Sequence, residues 1–231
     1  MAFLGPDEWQ AVALSLKVAC LAVAASLPFG LAVAMLLARG RFPGRQILNG
    51  IVHLPLILPP VVTGYVLLLG FGRRGPIGEF LENTFGVVLA FRWTGAALAA
   101  AIMAFPLMVR AMRLAIETVD PGLEEAAATL GASRLRVFLT VTLPLILPGV
   151  LAGAILAFAK AMGEFGATIT FVSNIPGETR TVPSAIYAFL QVPGGEASAL
   201  RLVIVSVVIA MAALLVSEVM ARRVAARVAG R

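Results

Sequence analysis

Lys160 and Glu164 stand four residues apart in an otherwise apolar run, a spacing that puts both on one helical face. Inside a membrane each would neutralise the other, where either charge alone is costly. Around them lie Gly163, Gly166, Thr168, Thr170, Ser173 and Asn174. Small residues let helices approach closely, and hydroxyl and amide groups donate hydrogen bonds to a passing oxyanion. Two readings suit this cluster: a structural ion pair near the outer interface, or a pathway lining with an outer gate at Thr168, Thr170, Ser173 and Asn174. A second unusual stretch sets Pro55, Pro59 and Pro60 just after His53. Three prolines remove three backbone donors, so no regular helix is expected there. Freed carbonyls in lipid need cover from protein or enclosed water, which makes Pro59 and Pro60 candidates for a pathway or gate, beside the plainer reading of a proline kink.

No other residues complete a catalytic set. A phosphate-binding loop needs Gly-Lys followed by Ser or Thr, whereas the two lysines, Lys17 and Lys160, follow Leu16 and Ala159. One histidine, His53, and one cysteine, Cys20, allow neither an internal disulfide nor a Cys/His zinc cluster, and both read as packing residues. With no Gly-x-Ser-x-Gly elbow either, the chain is expected to have no metal, no cofactor and no enzymatic activity of its own.

The elements carrying these residues are apolar beyond the range of one soluble domain. Hydrophobic residues make up 60% and charged residues 13% of 231, and the mean hydropathy is +0.98. This predicts an all-α, polytopic membrane protein forming a single domain over residues 1–231. Five stretches are long enough to span about 30 Å of hydrocarbon: about 9 to 38, 47 to 71, 87 to 109, 145 to 172 and 201 to 221. Asp7 and Glu8 precede the first and no basic n-region is present, so it is expected to be retained as a span. Within it Lys17 is placed to snorkel outward and Pro28 to kink the helix. The net charge of +6 does not point to nucleic acid, because the arginines sit at the ends of apolar runs. With five spans and the N-terminus outside, the cytoplasmic side receives eleven of them: Arg39, Arg41, Arg45, Arg110, Arg113, Arg134, Arg136, Arg222, Arg223, Arg227 and Arg231. The outer side receives five: Arg73, Arg74, Arg92, Arg180 and Arg201.

A loop at about 110 to 144 lies between the third and fourth spans and contains a short polar helix. Asp120 suits its N-cap and Pro121 its first position, and Glu124 and Glu125 sit where the helix dipole favours negative charge. Leu123, Ala126, Ala127 and Leu130 share one small apolar face, and Gly131 is placed to end the helix in the left-handed conformation. Periodicity alone suits an ordinary amphipathic surface helix as well as a docking element.

The wider pattern is more specific. Glu125-Ala126-Ala127, three residues, Gly131, nine residues, then Val141-Thr142-Leu143-Pro144 resembles the EAA signature of ABC-importer permeases, with Val141 where that pattern usually has Ile. His53 to Tyr65 and Gly163 to Thr181 are similar to the same stretches of bacterial molybdate permeases, and the likeness runs nearly end to end. The resemblance implies a permease of the bacterial inner membrane whose Leu123, Glu124, Glu125, Ala126, Ala127, Leu130 and Gly131 form a coupling helix for a cytoplasmic ABC ATPase dimer. It further implies a homodimer, a periplasmic molybdate-binding protein, and ATP hydrolysis in a separate subunit. Sulfate, thiosulfate and tungstate permeases are near relatives. Two readings from other classes are a membrane enzyme using His53 or Glu164, and a non-transporting scaffold docking a partner through residues 120–138.

The cation asymmetry predicts a periplasmic N-terminus and a cytoplasmic C-terminus. A C-terminal fluorescent-protein fusion should glow and a C-terminal alkaline phosphatase fusion should be inactive; the opposite pair of results rejects this topology.

Overall fold

The structure, a computed structural model, describes residues 3–228. The described residues form helices α1 (Pro6–Arg39), α2 (Arg45–Ile57), α3 (Pro60–Phe71), α4 (Pro76–Phe85), α5 (Trp93–Glu117), α6 (Pro121–Thr129), α7 (Arg134–Val137), a π-helical turn (Phe138–Thr142), α8 (Leu143–Met162), α9 (Gly166–Val172), α10 (Val182–Leu190) and α11 (Glu196–Val228). The chain is all-helical as expected, but four of its spans are continuous and the fifth is a broken pair. α2 and α3 meet at 113°. Pro59 caps α3 and Pro60 is its first residue, so neither can donate to the carbonyls of Pro55 and Leu56 one turn back.

Three boundaries differ from the expectation. The third span starts at Trp93, because Gly86 and Phe91 take positive φ (66° and 59°) and hold residues 86–92 out of helix. It then continues to Glu117, so the loop between the third and fourth spans is shorter than 110–144. The fourth stops at Met162, and α9 starts anew at Gly166 after a break at residues 163–165. α4 and α10 were not expected; both are short and carry Pro at N1 or N2. Arg231 and the side chains of Arg222, Arg223 and Arg227, all counted on the cytoplasmic side above, lie outside what the structure describes.

α5 is the centre of the packing, with α1 on one side and α8 on the other. Its buried positions are mostly small in the first half, with Ala96, Ala97, Ala99, Ala100 and Ala104, and larger in the second, with Met108, Met112 and Ile116. Facing glycines bring the axes close: a Cβ at Gly153 of α8 would lie 3.1 Å from the Met108 carbonyl, and one at Gly30 of α1 2.9 Å from Met108 Sδ. The starts of α1 and α11 are tied by an ion pair in which Arg201 Nη2 donates to Glu8 Oε1 at 2.6 Å. The Lys17 Nζ sits 3.5 Å from the centroid of the Trp93 ring, a cation–π contact worth about 0.5–2 kcal/mol.

α3 and α9, the two helices that follow breaks, pack on each other. A Cβ at Gly64 would stand 2.5 Å from the Ala167 carbonyl oxygen, and one at Gly166 2.6 Å from Pro60 Cβ. Gly64→Ala should therefore force the helices apart and cost roughly 1–3 kcal/mol, whereas Gly70→Ala on the same helix, with only Ile77 Cδ1 at 4.0 Å, should be neutral. Thermal unfolding in detergent checks this, and equal midpoints for the two variants would contradict the close α3–α9 contact.

Candidate functional site

The polar helix between the third and fourth spans is α6. Asp120 Oδ1 accepts from Gly122 N at 2.9 Å, a cap on the first turn. At the other end Gly131 adopts φ +84°; its N–H donates to Ala128 O, and Ala132 N–H donates to Ala127 O. Those two bonds and the left-handed glycine make a Schellman motif, which turns the chain sharply toward α7. Ser133 then caps α7, donating no proton but accepting from Arg136 N.

The two glutamates of α6 face different ways. Glu125 is exposed. Glu124 is turned toward the body of the protein, where Thr142 Oγ1 donates to its Oε1 at 2.7 Å. Thr142 is buried and ends the π-helical turn. Arg39, the last residue of α1, completes the anchor: its Nη2 lies 3.7 Å from the same Glu124 oxygen and donates to Val119 O at 2.9 Å. Ala127, one turn after Glu124, is half-buried. Leu123, Ala126 and Leu130 face outward, Leu130 being 89% exposed. Of the residues expected to dock, then, Glu124 is an internal tie, whereas Leu123, Glu125, Ala126 and Leu130 are exposed and Gly131 sets the exit of the helix. Sequence reasoning missed Arg39 and Thr142. Thr142 lies inside the Val141-to-Pro144 part of the motif, but a contact across 18 residues leaves no periodic trace.

The second cluster is the pair of breaks. Glu164 bridges the gap between α8 and α9: its Oε2 accepts from Lys160 Nζ at 3.0 Å and its Oε1 from Ala167 N at 2.9 Å. Glu164 is buried while the Lys160 side chain is one-third exposed. Pro59 and Pro60 are exposed at the other break. The remaining proposed gate residues lie at or after the second break and bond locally. Thr168 is buried, and Thr170 Oγ1 donates to Gly166 O within its own helix. Asn174 is held in the following loop, accepting from Arg180 Nε and donating to Ser184 O. Ser173, at φ 65°, gives its carbonyl to Thr179 Oγ1. The reason is local: short polar side chains next to a chain break satisfy nearby backbone first. What the structure does bring together is Pro60, Gly64, Gly166, Ala167 and Thr170.

Residues 26–229 match the family model of the binding-protein-dependent transport system inner membrane component. The chain is similar to the molybdenum transport system permease protein ModB of Escherichia coli (strain K12), 64% identical over 219 residues, which are 95% of this chain and 96% of that one. It is 54% identical over 216 residues to the ModB of Haemophilus influenzae, covering 94% of each. In fold it is similar to the crystal structure of a bacterial ABC transporter involved in the import of the acidic polysaccharide alginate, with a TM-score of 0.75 at 19% identity, over 96% of this chain and 81% of that chain.

The anchor on α6 has a measurable consequence. Glu124→Ala removes a charge-assisted hydrogen bond worth about 1.5–3 kcal/mol, so opening of α6 should rise roughly ten-fold or more. Limited trypsin digestion should cut faster at Arg134 and Arg136 in Glu124→Ala, while Glu125→Ala should match the unsubstituted protein. Equal cleavage of the two variants rejects the anchor.

Proposed function

The chain belongs to the family of binding-protein-dependent transport system inner membrane components, and from that premise we propose that it is the membrane-spanning permease of a molybdate importer. The observation that carries the substrate is the 64% identity, over nearly the whole of both chains, to a molybdenum permease. Powered uptake needs ATP hydrolysis, and the sequence has no phosphate-binding loop, so the ATPase is a separate subunit docked on α6. A periplasmic binding protein delivers the oxyanion, and two permease copies form the pathway. The N-terminus is periplasmic and the C-terminus cytoplasmic.

The homodimer rests on a physical demand. The break between α2 and α3 leaves the carbonyls of Pro55 and Leu56 without their helical donors, beside exposed Ile57, Val61, Tyr65 and Val66. Such a backbone does not face lipid; it lies against protein or lines water. A second copy meeting this face across a water-filled passage supplies both. Movement then has a continuous route. The ATPase displaces α6, Glu124 carries the displacement to Thr142 and Arg39, α8 carries it to the Glu164 break, and α9 presses on α3 at Gly64. Selection of the ion belongs mainly to the binding protein, since no arginine cluster lies deep in a span to grip a dianion bidentately.

Reconstituted proteoliposomes test the reading. ATP-dependent molybdate uptake should require permease, ATPase and binding protein together, and excess sulfate should compete poorly. Uptake of sulfate in preference to molybdate would reassign the substrate, and binding of the ATPase without any uptake would favour a scaffold. Glu125→Lys should abolish uptake by blocking docking, and Gly131→Val should do so by adding about 1–2 kcal/mol of left-handed strain and re-aiming α7. Wild-type uptake by both variants would sink the assignment of α6.

A further inference from the structure

The cytoplasmic end of α2 frames a cavity of about 710 Å³ that the docking helix does not use. Its polar walls are Arg45, Gln46 and Asn49 of α2 and Arg113 of α5, and no carboxylate is among its lining residues. Both guanidinium groups are held from behind. Arg45 donates through Nε to Leu37 O at the end of α1, at 2.9 Å. Arg113 donates through Nε to Glu117 at 2.8 Å and through Nη1 to Asn49 Oδ1 at 3.1 Å. These bonds fix the two planar groups yet leave both terminal amino groups of Arg45, Nη2 of Arg113 and Nδ2 of Asn49 to meet a guest. Forked donors around an open space suit a tetrahedral oxyanion, whose several acceptor oxygens they match in number and direction.

Two chemically equivalent guests exist, a free oxyanion and the phosphate of an anionic lipid headgroup, since basic pockets between cytoplasmic helix ends take either. The course of α2 separates them. Arg45, Asn49 and His53 follow one another at four-residue intervals, so a polar stripe climbs one side of a helix otherwise rich in Ile, Leu and Val. His53 continues it physically, donating from Nδ1 to Asn49 O at 2.8 Å. The stripe leads from the cavity toward the break at Pro59 and Pro60. A headgroup needs only the cavity, whereas an ion coming from the break needs the stripe as well.

We propose that this cavity is the cytoplasmic release site of the transported tetrahedral oxyanion, an inference that rests on the permease reading. The site is weak by construction, because Arg113 already shares its charge with Glu117, and a weak site at the exit lets a dianion leave the low-dielectric pathway without trapping it.

The test uses the assembled importer in inside-out vesicles, with Cys20→Ser removing the native thiol and Gln46→Cys placing a reporter on the cavity wall. Millimolar molybdate, against sodium chloride of equal ionic strength, should slow labelling of the reporter by a membrane-impermeant maleimide several-fold. Arg45→Gln with Arg113→Gln should abolish that protection. If the double variant fails to assemble, Arg45→Lys, which keeps the charge and loses the fork, should weaken it. Labelling indifferent to molybdate, or protection that survives the arginine changes, overturns the proposal. So does a third result: labelling slowed only when phosphatidylglycerol replaces phosphatidylcholine, which gives the cavity to a headgroup. Molybdate uptake by the same Cys20→Ser importer without the reporter reads the permease assignment separately, so uptake with no protection sinks the release site alone.

Discussion

In hydrocarbon every peptide N–H and C=O must be paired within the protein or with enclosed water, and that requirement decides where this chain bends. It bends twice within its spans, at Pro59 with Pro60 and at residues 163–165, and the segments after the two bends, α3 and α9, lie against each other. Each break therefore covers part of the other. Glycine makes the cover possible, since Gly64 and Gly166 sit where any side chain would meet backbone or proline ring. Glu164 does the rest by accepting from Ala167 N and pairing with Lys160, so a carboxylate buried to 3% exposure has partners for both oxygens. Removing Lys160 is costly, because the buried Glu164 carboxylate is left without its counter-ion. The uninterrupted α5, packed between α1 and α8, is the rigid element against which the broken helices are set.

Ion pairs in this molecule differ in weight. Arg73–Glu82 and Arg92–Glu178 are partly exposed and separated by 3.8 and 3.6 Å, the kind of contact worth at most about 1 kcal/mol. Glu8–Arg201 is different: Glu8 is buried, accepts twice from Arg201 Nε and once from Nη2, and also takes the Gly5 N–H. It fixes where the first and last spans begin relative to each other. At the end of the molecule that holds Arg39, Arg45 and Arg113 the pairs leave positive charge over. Arg39 has Glu124 and Arg113 has Glu117, whereas Arg45 is held by a carbonyl alone. An unneutralised guanidinium at the foot of the broken span attracts anions to that end of the protein.

Composition made the fold class legible, and the proline cluster marked the first break, whereas Gly163 and Gly166 read as close-approach positions and not as a break. Cap residues located α6 and its end: Asp120, Pro121 and Gly131 act in the structure as their types suggest. Reading continuous spans from hydropathy failed where apolar residues take non-helical backbone, at Val87 to Phe91 and at residues 163–165, since transfer energy does not register φ and ψ. Polarity also did not show where the side chains of the proposed pathway residues bond, for a related reason. Thr170 and Asn174 are polar in the right neighbourhood, but their hydrogen bonds go to Gly166, Arg180 and Ser184. The division of labour between Glu124 and Glu125 was illegible because adjacent residues on a helix differ by about 100° in direction, and only the tertiary partner says which one faces in.

That partner, Thr142, depends on the π-helical turn. From Val137 onward the buried positions are Val137, Thr142, Ile146, Val150, Gly153, Ala157 and Ala161. All but one of the steps between them are three or four residues, as an α-helix requires for one face, and the exception is the five-residue step from Val137 to Thr142. It falls on the turn, which holds one residue more than an α-helical turn. Without it the register above Thr142 would rotate by about 100°, and the face meeting α6 would no longer continue the face of α8 that packs on α5. The extra residue thus puts the acceptor on α6, Glu124, in line with the core stripe of the span. Glu124 is thereby tied, through Thr142, to the side of α8 that packs on α5, the close-packed centre of the fold.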